Sequence, residues 1–339
     1  MIDFQLLLVG TYTAPMGQAQ GISLIAHDRR ASTLVDLGLV AVTESPSYLA
    51  GRDGAVYAVN EADHGRITGF EWLPAERRLV RRSVQATGGA HPCHVAVHGS
   101  GRLLAVANYT SGSVALHPCE AGSIGPFADL VELRGHGPVT DRQGSAHAHQ
   151  VVFADDLLYV VDLGSDRVWR FVVEPAGATT TSIEPLVLPP GFGPRQLLLD
   201  SGAGPVRFGY VLGELSGQIA VFDLARGGGP VAMVATSEKP LPDGNLAAGL
   251  IAGGSPGECF VSHRGANVIV RLAGRGAGLA VTGEVSSGGS WPRFVGYLDD
   301  YLYVANQESG TVACLAPNQP GAAALTVAVP SPACVLPMG

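Results

Sequence analysis

One short pattern returns seven times along this chain: an apolar strand, a tight polar turn, and a second apolar strand. The copies read LLLVGTYT from Leu6, AVYAVNEADHGRITGF from Ala55, LLAVANYTSGSVALH from Leu103 and LLYVVDLGSDRVWRF from Leu157. They continue as FGYVLGELSGQIAVF from Phe208, CFVSHRGANVIVRL from Cys259 and LYVANQESGTVACL from Leu302. The leading strands close on Gly10, Asn60, Asn108, Asp162, Gly213, His263 and Asn306, so successive copies lie 43 to 54 residues apart. Short apolar runs bounded by Gly, Asn and Asp turns are strand and hairpin signals. A period near 50 made of strands alone specifies one four-stranded sheet per repeat, which is the pattern of a β-propeller. The expected fold is therefore all-β, a seven-bladed β-propeller.

A further strand precedes each of these. Its starts are SPSYLAG at Ser45, HPCHVAV at His91, HAHQVVF at His147, GPRQLLL at Gly193, LAAGLIA at Leu246, WPRFVGY at Trp291 and SPACVLP at Ser331. Proline near the start of a strand is tolerated because no ladder donor is needed there. The last copy has no partner strand after it, and the first copy, Leu6–Gly10, has none before it. Pro332–Pro337 is therefore expected to join the N-terminal blade as its innermost strand, closing the propeller and removing sheet edges. Removing the last ten residues should then be far more damaging than their position suggests. No composition shift marks a linker, so residues 1–339 are read as a single propeller domain. Two Gly/Pro-rich insertions stand out, Glu120–Gly144 and Arg226–Asn245; the first leads into the His147 strand and is expected to fold over one mouth of the propeller.

Composition narrows the function classes. The 339 residues include 46 Gly and 23 Pro, only 15% are charged, and the formal net charge is -8. An acidic chain argues against a general nucleic-acid or anionic-membrane surface. No apolar run approaches the roughly 20 residues of a membrane-spanning helix. The N-terminus MIDFQLLLVG lacks the basic start and cleavage site of a secretory signal. Cys93, Cys119, Cys259, Cys314 and Cys334 are scattered and form no CxxC pair, which reads as reduced structural thiols. The cytoplasm is the expected compartment, a monomer the expected state, and neither metal nor cofactor is expected.

Antiparallel strands bring the start of the first strand and the end of the second to one edge of the sheet. The third residue of each first-strand motif gives one set of equivalent positions: Ser47, Cys93, His149, Arg195, Ala248, Arg293 and Ala333. The residue after each second strand gives another: Thr11, Glu61, Tyr109, Leu163, Glu214, Arg264 and Gln307. His149, Arg195, Glu214, Arg264 and Arg293 then cluster on one side as a candidate anion-binding and acid–base site. The side carrying Ser47, Cys93 and Ala333 reads as chemically mild. His147, His263 and Trp291 are candidate substrate contacts beside the cluster. Each has a structural alternative: Arg195 and Arg264 can serve as a salt bridge to Glu214, His263 as packing, and Trp291 as either a stacking surface or blade packing. Asp162 and Asn108 read as turn caps.

GTYT at Gly10–Thr13, GAHPCHVAVHGSGRLLAVANYTSGSV at Gly89–Val114, HAHQVVF at His147–Phe153, GPRQL, GELS, SHRGAN, WPRF…LYVANQESGTV and the terminal PSPACVL resemble the lactonase-type seven-bladed β-propellers. That family includes 6-phosphogluconolactonases and the fungal carboxy-muconate lactonizing enzyme, and the likeness covers essentially the whole chain. The resemblance implies a lactone site formed by a histidine of the HxH strand, the arginine of the GPR strand, a glutamate in the next turn and the arginine of the SxRG turn. These fall on His149, Arg195, Glu214 and Arg264. Two positions depart from the pattern: Gly213 replaces the usual Asn, and Gly249 stands where an acidic residue is often found.

The expectation is a metal-independent lactone hydrolase acting on a small anionic lactone, foremost 6-phosphogluconolactone. In it, the arginines would bind the anion, and His149 and Glu214 would divide the general base and general acid roles. Muconate-type lactonization suits the same layout. A non-catalytic binding propeller is the reading from another class.

Overall fold

The computed structural model describes residues 4–174, 176, 179–200, 206–319 and 323–338. Seven antiparallel sheets hold their strands, joined by turns and loops. Six sheets have four strands and one has five, and in every blade but one the strands follow chain order. Blade 1 is the exception: Pro332–Met338 lies inside Phe4–Thr11, followed by Gly21–Asp28 and Thr33–Val42. The expected closure is thus present, and the Gln5 side-chain amide also donates to the Met338 carbonyl at 2.7 Å. Blades 2 to 7 begin with Leu49–Arg52, Pro92–Val97, Ala148–Ala154, Pro194–Leu199, Ala247–Ala252 and Pro292–Leu298.

The chain divides into two compact units. One comprises Met1–Val9, Ser23–Gly38 and Arg195–Gly339; the other comprises Gly10–Ile22 and Leu39–Pro194. In the first unit, apolar clusters join blade 5 to 6, 6 to 7, and 7 to 1, through residues such as Val261, Val304 and Tyr303. In the second, they join blade 2 to 3 and 3 to 4, through Val59, Val95, Val106, Leu116 and Val160. Sheets packed face to face bury both sides of their middle strands. Those strands accordingly read as unbroken apolar runs: Ala55–Asn60 and Leu103–Asn108 are buried at every position. Outer strands such as Thr179–Val187 alternate instead, with one face in water.

The second strands end on Asn60, Asn108, Asp162, Gly213, His263 and Asn306, as expected, and the first runs one residue further, to Thr11. The closing Asn side chains act as staples. Asn60, Asn108 and Asn306 donate to the Glu44, Thr87 and Ser287 carbonyls, each on the segment that enters the blade. The insertion Glu120–Gly144 departs from expectation. Its Ser123–Ile124 and Asp129–Glu132 pair with Ser113–Glu120 as outer strands of blade 3. A short helix, Thr140–Gln143, then sets buried Gln143 against the Leu163 carbonyl and Asp166. Pairing satisfies backbone groups that a loose loop would leave exposed. No helix among the described residues is long and apolar enough to cross a membrane.

Candidate active site

The third residue of the first-strand motif is singled out by the backbone. In blades 3, 4 and 7 the ladder slips between Pro92 and His94, Ala148 and Gln150, and Pro292 and Phe294. The residues passed over are Cys93, His149 and Arg293. A bulge leaves one residue unpaired and re-aims its side chain, and bulges are common beside active sites. Two residues upstream the backbone is often left-handed, at Ser45, His91, Gly193, Trp291 and Ser331. The residue after the second strand closes the same feature. Glu61, Tyr109, Leu163, Arg264 and Gln307 donate their N–H groups to Ser45, His91, His147, Leu246 and Trp291 at 2.9–3.0 Å. The two sets of positions read from the sequence are thus held together in each of these blades. His147 faces Leu163, where an unbroken ladder would have set Ala148, because the bulge at His149 shifts the register by one.

In the first unit the geometry is cationic. Glu214 is buried, and its Oε2 meets both the Arg195 Nη1 and, at 2.9 Å, the Arg264 Nη2. Both arginines are only 5% exposed. The Arg195 Nε–H donates to the Ala248 carbonyl at 3.0 Å, and the Arg264 Nε–H reaches the Leu246 carbonyl at 3.4 Å. Burial pushes the Arg264 pKa down to about 9; Glu214 opposes this, and the neighbouring Arg195 and Arg293 reinforce it. Two guanidiniums thus share the Glu214 carboxylate, and Arg293 lies close enough to act on Arg264. Such a group suits the binding of an incoming anion. The Trp291 ring lies 5.5 Å from the Arg264 guanidinium carbon, a cation–π contact. Trp291 has φ +63, held by its N–H donating to Asn267 Oδ1 at 2.8 Å. The salt-bridge alternative for Arg195 and Arg264 is present in the geometry, and the Trp291 ring packs on Arg264.

His263 does not offer itself to a ligand. It is fully buried. The Thr236 hydroxyl donates to the Gly217 carbonyl, so it accepts from His263 Nε2 at 3.0 Å. His263 Nδ1 then accepts from the Asn245 amide at 2.9 Å. A second ring proton would meet the Asn245 N–H, and burial holds the pKa down at about 4. The residue locks the turn that carries Arg264, as the packing alternative has it.

In the second unit the two candidate histidines share one aromatic partner. The His147 ring stacks on Tyr109 with centroids 4.7 Å apart, and His149 meets the same ring edge-on at 5.4 Å. His147 Nδ1 must donate, since its partner is the Tyr109 carbonyl at 3.0 Å. Its backbone N–H is taken by Asp162 Oδ1 at 2.7 Å, and Asp162 also accepts from Gly164 and the Trp169 indole. Asp162 therefore caps the turn as expected and also anchors the HxH strand.

The side read as mild is not. Glu61, in the position that Glu214 holds in its own blade, accepts on one oxygen from Ser47 at 2.5 Å and from Tyr12 at 2.9 Å. The serine and tyrosine are buried, at 4% and 3% exposure. Glu61 stood among the equivalent positions. Its partner Tyr12 comes from another repeat, a link that periodicity does not reveal.

Known proteins share the fold. The family profile described as "Lactonase, 7-bladed beta-propeller" matches residues 6–337. A 6-phosphogluconolactonase of Formosa agariphila is 26% identical over 316 residues, covering 89% of this chain and 85% of that protein. The solved structure of the Pseudomonas aeruginosa periplasmic gluconolactonase PpgL is 28% identical, with TM-score 0.89 and 99% of both chains covered. A Lactobacillus plantarum structure gives the same identity and TM-score, over 99% of this chain and all of that one. Sequence repeats, sheet order and these matches agree: the chain belongs to the lactonase family of seven-bladed β-propellers.

Proposed function

We propose that the protein hydrolyses a small anionic sugar lactone, with 6-phosphogluconolactone as the foremost substrate. The observation that carries this is the buried Arg195–Glu214–Arg264 group, with Arg293 close enough to act on Arg264. Relatives named as 6-phosphogluconolactonase and gluconolactonase support the reaction class.

The reaction needs a base for water, a stabiliser for the tetrahedral oxyanion and a proton for the departing ring oxygen. Glu214 is held by two guanidiniums, which suits it to aligning them and disfavours it as a proton donor. We therefore assign Arg195 and Arg264 to the substrate anion and oxyanion, with Arg293 as a further anion contact. His149 is assigned to activating water and returning its proton to the ring oxygen. His149 takes this role by its repeat position: it is the third residue of its first-strand motif, HAH, as Arg195 is of GPR and Arg293 of WPR. His147 fixes Tyr109 against His149, and Trp291 offers a flat face beside Arg264. The reaction as proposed uses no metal or cofactor and takes place in the cytoplasm. The five cysteines, all buried and none in a disulfide among the described residues, suit a reducing compartment.

The test is hydrolysis of freshly made δ-6-phosphogluconolactone, followed spectrophotometrically. Muconolactones are run in parallel, and EDTA serves as the metal control. Hydrolysis that survives EDTA and falls about 100-fold or more in His149→Ala and Arg264→Ala is expected. Full activity in either variant removes its assignment, and turnover of muconolactone alone moves the reading to lactonization.

A further inference from the structure

Glu61 is built as a reader of substrate hydroxyls. Two buried donors, Ser47 Oγ and Tyr12 Oη, converge on its Oε2, while Glu61 itself is half-buried. A carboxylate has room for about four hydrogen bonds. Here two are spent on one oxygen by the protein. Its backbone N–H is also fixed, to the Ser45 carbonyl at 3.0 Å. The group is a pre-oriented acceptor with lone pairs to spare. It follows the second strand of blade 2, as Glu214 and Arg264 follow theirs in blades 5 and 6, so the repeat sets it at the corresponding edge of its sheet.

We infer that Glu61, oriented by Ser47 and Tyr12, accepts hydrogen bonds from ring hydroxyls of a polyhydroxylated lactone. This rests on the lactonase reading above and narrows it. A fixed negative charge favours hydroxyl donors and repels a second carboxylate. It therefore selects a sugar lactone with one anionic end over an unsaturated dicarboxylate of the muconate type. Ser47 and Tyr12 are positioning residues, since they act through Glu61.

The test compares two ligands by calorimetry. One is 6-phosphogluconate, the expected product, and the other is 6-(phosphonooxy)hexanoate, which has the same two ends and no hydroxyls. The readout is the ratio of their Kd values in wild type and in Glu61→Gln, alongside wild-type hydrolysis of the lactone. Wild type should prefer the polyol at least 10-fold, and Glu61→Gln should shrink that preference about 10-fold, the worth of one hydrogen bond to a charged group. Ser47→Ala should move the ratio the same way by a smaller factor, and it carries the test if Glu61→Gln fails to fold. A ratio unchanged within twofold in the folded variants overturns the role of Glu61 and leaves the lactonase reading standing. Wild type that neither hydrolyses the lactone nor binds 6-phosphogluconate overturns both.

Discussion

Replacing Glu214 by Gln asks how much the buried charge group matters. The change keeps the side-chain shape and removes the one negative charge between Arg195 and Arg264, both 5% exposed. Two buried guanidiniums are then left without their shared partner. Breaking a buried ion pair by removing one member costs about 3–5 kcal/mol. Unfolding entropy near 2.1 cal/mol/K per residue gives about 0.7 kcal/mol/K for 339 residues, so Tm should fall by about 4–7 °C. Differential scanning calorimetry measures this directly. Two companion measurements isolate the cause. Inorganic phosphate should raise the Tm of Glu214→Gln more than that of wild type, because the variant has a larger cation excess to neutralise. The double variant Glu214→Gln with Arg264→Met should be no less stable than Glu214→Gln alone, since it removes one of the two stranded charges. Lactone turnover should fall about 100- to 1000-fold in Glu214→Gln, because the arginines lose their alignment. An unchanged Tm, or losses in the double variant that simply add, would refute the view that Glu214 holds the arginines through charge.

Three further outcomes follow from the geometry. Truncation after Val329 removes the strand Pro332–Met338, with Ala333, Cys334 and Val335 all buried, and exposes the edge of Phe4–Thr11; soluble protein should be lost or Tm lowered by at least 10 °C, and an unchanged Tm would contradict the closure. Trp291 sits at φ +63, so Trp291→Gly should be more stable than Trp291→Ala by about 1 kcal/mol in urea titrations, while both raise KM through loss of the face beside Arg264. His263 is held neutral with a pKa of about 4, against about 6.5 unfolded, so the unfolded chain binds the extra proton between these values. Stability from this residue is complete above pH 6.5 and is lost as pH falls toward 4, by about 3 kcal/mol. His94, held near 3 by burial, acts in the same direction, so His263→Gln should flatten the acid limb of the urea midpoint only in part.

The ends of the second strands were legible because two physical demands coincide there. Face-to-face sheets require an apolar run, and the turn that follows requires Asn, Asp or Gly. Asn108 and Asn306 meet the second demand twice over, ending the strand and tying down the segment that enters the blade. The third-residue positions were legible for a related reason: a proline comes before the bulge, as in Trp291–Pro292–Arg293, and marks the strand start in the sequence, while the left-handed backbone at Trp291 leaves no such mark.

Side-chain pairing left no comparable mark. Alternation fixes the face on which a strand residue lies, but His263 ends its strand, where the chain turns and alternation stops. Only the partners Thr236 and Asn245, supplied by the preceding connection, decide that its ring is buried. Asp129–Glu132 is too short and too polar to announce itself as a strand, and its pairing with Ser113–Leu116 is what draws the long insertion into blade 3. The case of Ser47 has the most bearing on function. Alone it is an unremarkable residue ahead of a strand, and Glu61 alone is a turn carboxylate. Tyr12, 49 positions from Glu61 in the chain, joins them into one oriented acceptor. A residue's repeat position thus indicates which edge of the sheet it reaches, while its chemistry depends on partners from neighbouring repeats. The lactone specificity of this chain is accordingly to be sought in those cross-repeat contacts more than in the repeated motif itself.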